Sequence, residues 1–218
     1  MRVLVACEFS GVVREAFRKR GHDAWSCDIK PCEDGSPFHL QGDVLPFMCD
    51  AWDLVIAHPP CTYLSVSGLH WNGRRPERVK LTEEAARFFM VFTHLCCKWA
   101  IENPIGTMSR RYRKPDQIVQ PYQFGEDASK ATCLWLKGLP LLIHTHVVEP
   151  RWVCCGKYLP PELGRYGCPN CLGNKRPLPR WSNQTDSGQN KLPPSKHRAA
   201  DRSRTYPGIA DAMAEQWG

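Results

Sequence analysis

The sequence predicts an α/β fold, a Rossmann-like doubly wound parallel sheet with a small Cys-rich insertion near the C-terminus. Three observations carry that prediction. Short apolar runs alternate with segments of helical periodicity, as βαβ units require. Each run stops abruptly at a proline, a glycine or an acid, as buried strands do when the chain must turn. Polar residues with chemical capability follow those stops, where open α/β sheets hold their ligands.

Val3, Leu4, Val5, Ala6 and Cys7 form the first strand, which ends in the turn Glu8-Phe9-Ser10-Gly11. Val12, Val13, Ala16 and Phe17 continue at helical spacing until Gly21 closes the helix. Residues 24–28 make a second short strand ending in Asp28. Residues 53–57 are another buried-strand run, stopped by His58-Pro59-Pro60-Cys61. Thr82 is the expected cap of the clearest helix, with Glu83 and Glu84 in its first turn. Leu81, Ala85, Phe88, Phe89, Phe92, Leu95, Cys96 and Trp99 fall along one face of it. Ala100-Ile101-Glu102-Asn103-Pro104 is a strand ended by proline, and residues 131–136 and 141–148 read as later strands of the same sheet. Beyond Arg151 periodicity fades, until Pro207-Gly208 opens a helix with Ile209, Ala210, Met213, Ala214 and Trp217 on its apolar face. The expected organisation is therefore a catalytic domain at 1–150, a basic Cys-rich segment at 151–206, and a closing helix at 207–218 that packs back on the first domain.

With 218 residues, 42% hydrophobic and 23% charged, the chain can build one large core and wholesale disorder is excluded. No window approaches about 18 uninterrupted apolar residues, and the N-terminal apolar run has no cleavage-like tail. The expectation is a cytoplasmic protein without a membrane partner, monomeric by default. Twelve cysteines in that setting point to reduced thiols, a metal site and a nucleophile rather than a disulfide scaffold. The net charge of +7 is unevenly spread: residues 151–206 hold eleven Lys and Arg against three acids, so this segment is expected to meet a polyanion.

The chemistry gathers at the strand ends. The Glu8–Gly11 turn offers backbone N–H groups and a small residue where a ligand can approach closely. Asp28 stands where acids bind a ribose diol in nucleotide-binding sheets, and Asp43 belongs to the same rim. The two prolines before Cys61 set a thiol on a stiffened loop, while Glu102 presents a carboxyl at the end of another strand. A cysteine of ordinary pKa, about 8.5, is only slightly ionised near neutrality, so a nucleophilic Cys61 needs help from its surroundings. Arg74, Arg75, Arg78 and Lys80 follow that loop and are candidates for phosphate contacts.

Taken in order, Val5-Ala6-Cys7-Glu8-Phe9-Ser10-Gly11, Asp28, Gly42-Asp43-Val44, Pro59-Pro60-Cys61 and Ile101-Glu102-Asn103-Pro104 resemble the motifs of the cytosine-C5 DNA methyltransferases, in a short form like those encoded by phages. The resemblance covers about the first 105 residues, and the Pro-Pro-Cys and Glu-Asn pair is its most specific part. It implies an S-adenosylmethionine (AdoMet) site at Glu8, Phe9, Ser10, Gly11, Asp28, Asp43 and Pro59. It also implies that Cys61 adds to C6 of a flipped cytosine while Glu102 acts on N3, so that C5 accepts the methyl group. Asn103, Arg74 and Arg75 would touch the DNA. Departures are visible: the turn lacks the family's further pair of glycines, Thr62 replaces glutamine after Pro-Pro-Cys, and Pro104 follows Asn103. The family's Gln-x-Arg-x-Arg motif has only a distant counterpart in Arg202 and Arg204, and little chain remains for target recognition. RNA or a free pyrimidine nucleotide is the alternative substrate, and an idle zinc-containing nucleic-acid-binding protein the alternative class.

Cys154-Cys155 followed by Cys168-Pro-Asn-Cys171, with Gly156 and Gly173 close behind each pair, has the spacing of a zinc site. Cys155, Cys168 and Cys171 are the expected ligands with Cys154 as the fourth; because adjacent cysteines bind one ion with difficulty, His144, His146 or another residue is the alternative to Cys154. Trp152, Tyr158, Tyr166 and Trp181 lie in the same basic segment, either stacking on bases or packing around the metal.

Overall fold

A computed structural model describes residues 1–166, 168 and 175–218. In chain order the described elements are β1 (Arg2–Ala6), α1 (Val12–Arg18), β2 (Asp23–Asp28), β3 (His39–Gln41), β4 (Leu54–Ala57), α2 (Val66–Leu69), α3 (Glu77–Val91), β5 (Lys98–Pro104), α4 (Met108–Arg111), β6 (Gln117–Val119), β7 (Thr132–Lys137), β8 (Arg151–Cys154), β9 (Lys157–Leu159), α5 (Pro161–Tyr166), β10 (Leu178–Arg180), α6 (Arg198–Ser203) and α7 (Pro207–Trp217). They form two compact units, one of residues 1–119, 131–143 and 204–218, the other of 120–130 and 144–203.

The first unit is built on a seven-stranded sheet of order β3-β2-β1-β4-β5-β7-β6. The first five strands of that order are mutually parallel, whereas β7 runs antiparallel to both β5 and β6. The α/β class with a mostly parallel sheet stands and is compatible with a Rossmann-like fold, and β7 corrects the expectation of an all-parallel sheet. Val3–Ala6 of β1 and Leu54–Ala57 of β4 are wholly buried, which is why both read as unbroken apolar runs. Phe89, Phe92, Trp99 and Trp135 belong to one core cluster, with Phe89 edge-on to Trp135 at 5.1 Å between ring centres. α7 packs beside α1, and Arg20 pairs with Asp211 and Glu215 at 3.6 Å each.

Three sequence expectations are corrected here. Thr82 does not cap α3: Pro76, whose φ of −56° is already helical, precedes a helix that opens at Glu77. The buried Thr82 hydroxyl instead donates to the Arg78 carbonyl at 2.9 Å and accepts from Asn72 Nδ2 at 3.0 Å. Trp99, assigned to that helix face, lies in β5. Residues 141–148 form no strand, and β6, which the sequence did not reveal, pairs with the outer side of β7. Leu141 and Ile143 are exposed, and Leu142 satisfies its backbone through the Gln117 side-chain amide, with two bonds of 2.8 Å.

The second unit contains a three-stranded antiparallel sheet of order β10-β8-β9 together with α5 and α6. Among its described residues Cys154, Leu159 and Cys168 cluster with Trp152, while Tyr122 stacks on Trp181 at 4.2 Å. Gly164 leaves room for the Trp152 ring, since a Cβ there would lie 2.0 Å from Trp152 Cγ. Strands of three and four residues leave too little periodicity to be read in sequence. Among the described residues no helix is long and apolar enough to cross a membrane.

Candidate functional site

The turn after β1 is shaped by two left-handed residues, Cys7 at φ 61° and Gly11 at φ 73°. Glu8 therefore points inward and serves the start of α1, accepting from Val13 N at 2.7 Å, Arg14 N at 3.2 Å and the Ser10 hydroxyl at 3.4 Å. Burial pushes the Glu8 carboxyl above the usual carboxylate range, and the nearby His58 together with those N–H groups pulls it back only in part. A Cβ on Gly11 would stand 2.2 Å from Arg14 Nη2, so a side chain there would strain the left-handed backbone and force the buried Arg14 guanidinium to shift. The Arg14 side chain is wholly buried; it donates to Ser26 Oγ at 2.8 Å and Glu15 Oε1 at 2.9 Å and pairs with Asp34. Sequence reading missed Arg14, although its place next to the apolar positions of α1 was the available signal.

At the end of β2, Asp28 is half-buried and accepts from Lys30 N at 2.9 Å, while the Lys30 ammonium sits 4.4 Å from the centre of the buried Phe9 ring. Ile29 beside it is 77% exposed. Asp43 is exposed and accepts from Leu45 N at 3.1 Å. Burial pushes the Cys7 thiol far up, and the charges of Asp28 and Asp43 push it in the same direction. Both carboxylates therefore act at the C-terminal end of β1.

The neighbouring strand ends carry the other predicted residues. The parallel register Ala57↔Ile101 sets His58 beside Glu102. His58 Nδ1 lies 2.9 Å from Glu102 Oε2, with the side chains 12% and 11% exposed, and the Thr205 hydroxyl donates to the same oxygen at 3.3 Å. Asn103 is buried and its Nδ2 donates to the carbonyl of Pro59 at 2.8 Å, so β5 grips the proline loop directly. Cys61 is half-buried, and its carbonyl accepts from Leu64 N and Ser65 N at 3.0 Å each. Beyond it the two loops are stitched together by Val66 N to Ile105 O at 3.0 Å and Thr107 N to Leu64 O at 2.9 Å. Gly106 makes this approach feasible, because a Cβ there would lie 2.1 Å from the Leu64 carbonyl oxygen. The loop bearing Cys61 is thus fixed at both ends against the segment bearing Glu102.

Past that loop, Arg74 and Arg75 stand over the exposed Trp71 ring at 5.5 and 5.3 Å, and Arg78 over Tyr63 at 4.7 Å. Arg204 is held in a bidentate pair with Glu33, at 2.9 and 2.8 Å. Arg202 belongs to α6 in the second unit.

In the second unit a two-residue hairpin joins β8 to β9, with both central residues left-handed: Cys155 at φ 54° and Gly156 at φ 72°. The Sγ atoms of Cys154, Cys155 and Cys168 all lie within 4.8 Å of one another, those of the adjacent pair 3.6 Å apart, an arrangement able to hold a metal ion. Tetrahedral Zn–S bonds of about 2.3 Å would put sulfur atoms about 3.8 Å apart, so the donor set fits zinc. The hairpin explains how adjacent cysteines reach one point. Among the described residues the cluster contains neither His144 nor His146, and Cys171 lies outside the described residues. No protein-family model matches this chain, and no curated protein matches it.

Proposed function

We propose that this protein is an AdoMet-dependent DNA cytosine-C5 methyltransferase in which Cys61 is the nucleophile and Glu102 the acid. The observation that carries the reading is the grip of β5 on the proline loop. Asn103 holds the Pro59 carbonyl at 2.8 Å, so a thiol and a carboxyl occupy adjoining strand ends at the rim where doubly wound sheets bind ligands.

The residues at the ends of β1 and β2 fit AdoMet, a cation that carries a ribose diol. Asp28 and Asp43 supply negative charge at one place, as their common effect on Cys7 indicates, and Asp28 keeps a half-exposed carboxylate for the diol. Ile29 offers apolar surface to an adenine, while Glu8, Ser10 and Gly11 fix the turn beneath. When bound, AdoMet supplies the electrophilic methyl group that C5 takes.

The chain's own residues do the rest. Attack of the Cys61 thiolate on C6 of an extruded cytosine forms the S–C6 bond, and the displaced electron pair moves through C5 and C4 toward N3. Glu102 gives its proton to N3, which leaves C5 with enamine character. Once C5 carries the methyl group, loss of the C5 proton, expulsion of the thiolate and return of the N3 proton to Glu102 restore the aromatic ring. The basic and aromatic face at Trp71, Arg74 and Arg75 supports a polynucleotide substrate, as does the net +8 of residues 151–206. The three thiols of the second unit support a zinc ion, to which the sequence adds Cys171 as a further ligand. Reduced thiols at both sites suit the cytoplasm.

The test is nucleoside mass spectrometry on duplex DNA incubated with the protein and AdoMet, with RNA and free cytidine nucleotides in parallel. The expected product is 5-methylcytosine in DNA, absent with Cys61→Ser. Equal yields from the two proteins, or no methylated base with any substrate, would overturn the assignment.

A further inference from the structure

We infer that His58 is a positioning residue for Glu102: the imidazole and the carboxyl share one proton across their contact, and His58 supplies the proton that Glu102 delivers to the pyrimidine. The inference rests on the reading of Glu102 as the acid.

The geometry makes this pair a fixture of the fold. His58 N donates to the Ala6 carbonyl at 2.9 Å, two prolines follow, and Asn103 holds Pro59, so the backbone beneath the imidazole is fixed on both sides. The carboxyl is equally constrained, because Oε2 meets both Nδ1 at 2.9 Å and the Thr205 hydroxyl at 3.3 Å. With side chains 12% and 11% exposed, the contact is largely shielded from water, where a charge-assisted hydrogen bond is strongest. Among the described residues, Glu102 from β5 and Glu8 from the turn after β1 bear on His58, and Arg14 in turn acts on Glu8. Two carboxyls thus stand by one imidazole, an arrangement that favours retaining a proton among them.

The proton balance closes. The pair begins as imidazolium and carboxylate. As the Cys61 thiolate bonds to C6, one proton passes from Nδ1 to Glu102 and on to N3, leaving a neutral imidazole and a carboxylate. When the thiolate departs, N3 returns that proton and the pair is restored. The C5 proton is the net product and leaves to water.

Two measurements test the inference, the first of them independent of the assigned activity. The first follows the His58 Cε1–H signal by NMR across pH in the wild type and in Glu102→Gln. The titration midpoint is expected to fall in Glu102→Gln, and an unmoved midpoint would refute the shared proton. The second is the pH profile of methyl transfer in His58→Asn, whose amide occupies the place of Nδ1 but cannot titrate, with His58→Gln as a second variant where folding fails. At neutral pH kcat is expected to fall at least tenfold with little change in the KM for AdoMet, since proton transfer of this kind contributes about 10²–10⁴-fold. The alkaline limb should move to lower pH, so that acid partly rescues the variant. A profile superimposable on the wild type would overturn the inference and leave the methyltransferase reading intact. Coupled titration without methyl transfer by any variant would instead reject that reading and keep the shared proton.

Discussion

Glu8 is buried because it takes over the N–H groups that begin α1, with Val13 at 2.7 Å and Arg14 at 3.2 Å. Its position nevertheless favours the neutral carboxyl, since burial dominates the pull of His58 and the N–H donors. In the unfolded chain a glutamate ionises near pH 4.3, roughly. A carboxyl raised in the folded state gives stability that is complete below that value and declines as pH rises through the folded pKa. Glu8→Gln keeps the shape and one acceptor but never ionises. Its melting temperature relative to the wild type should therefore rise with pH from about pH 4 upward. Thermal melts across that range check the sign, and a difference independent of pH would mean that Glu8 carries no such penalty.

At the scale of the element, the Cys61 loop is as well placed as the contact between residues 64–66 and 105–107 allows. Gly106→Ala would put a Cβ 2.1 Å from the Leu64 carbonyl oxygen, backbone that cannot swing aside. The two loops must separate, at a stability loss of about 1–3 kcal/mol by urea denaturation. A displacement near 1 Å at the nucleophile lowers kcat by about 10²-fold, so activity should suffer more than stability. Wild-type turnover in Gly106→Ala would show that the stitching is not what positions Cys61. The same loops mark what the sequence made legible. β1, β4 and β5 were readable because strands buried on both faces are continuous apolar runs; Glu8, His58 and Cys61 were singled out because each follows one, and Glu102 because it lies near the end of one. The His58–Glu102 contact was not readable, since it depends on the register of β4 against β5 rather than on local spacing. Residues 141–148 misled because β-branched, apolar content records propensity, and here a Gln117 amide supplies Leu142 with the partners a strand would have given.

On the scale of the whole molecule, the two units differ in what holds them. The first has a core of wholly buried strands and large aromatics, whereas the second gathers Cys154, Leu159, Cys168 and Trp152 around a short hairpin. Where so little apolar surface is buried among the described residues, a metal staple would supply order, and the three converging thiols are able to hold one. Metal binding would then be folding free energy for the second unit alone. The protein as purified should contain close to one zinc per chain by elemental analysis. A strong chelator should split unfolding into two transitions, lowering the midpoint reported by Trp152 and Trp181 while leaving that of the seven-stranded sheet in place. Cys155→Ser, which removes an exposed ligand without opening a cavity, should reproduce the chelator's effect at lower metal content. Metal-free protein with both transitions unchanged would assign the thiols to packing, and loss of both transitions together would mean that the zinc holds the sheet as well.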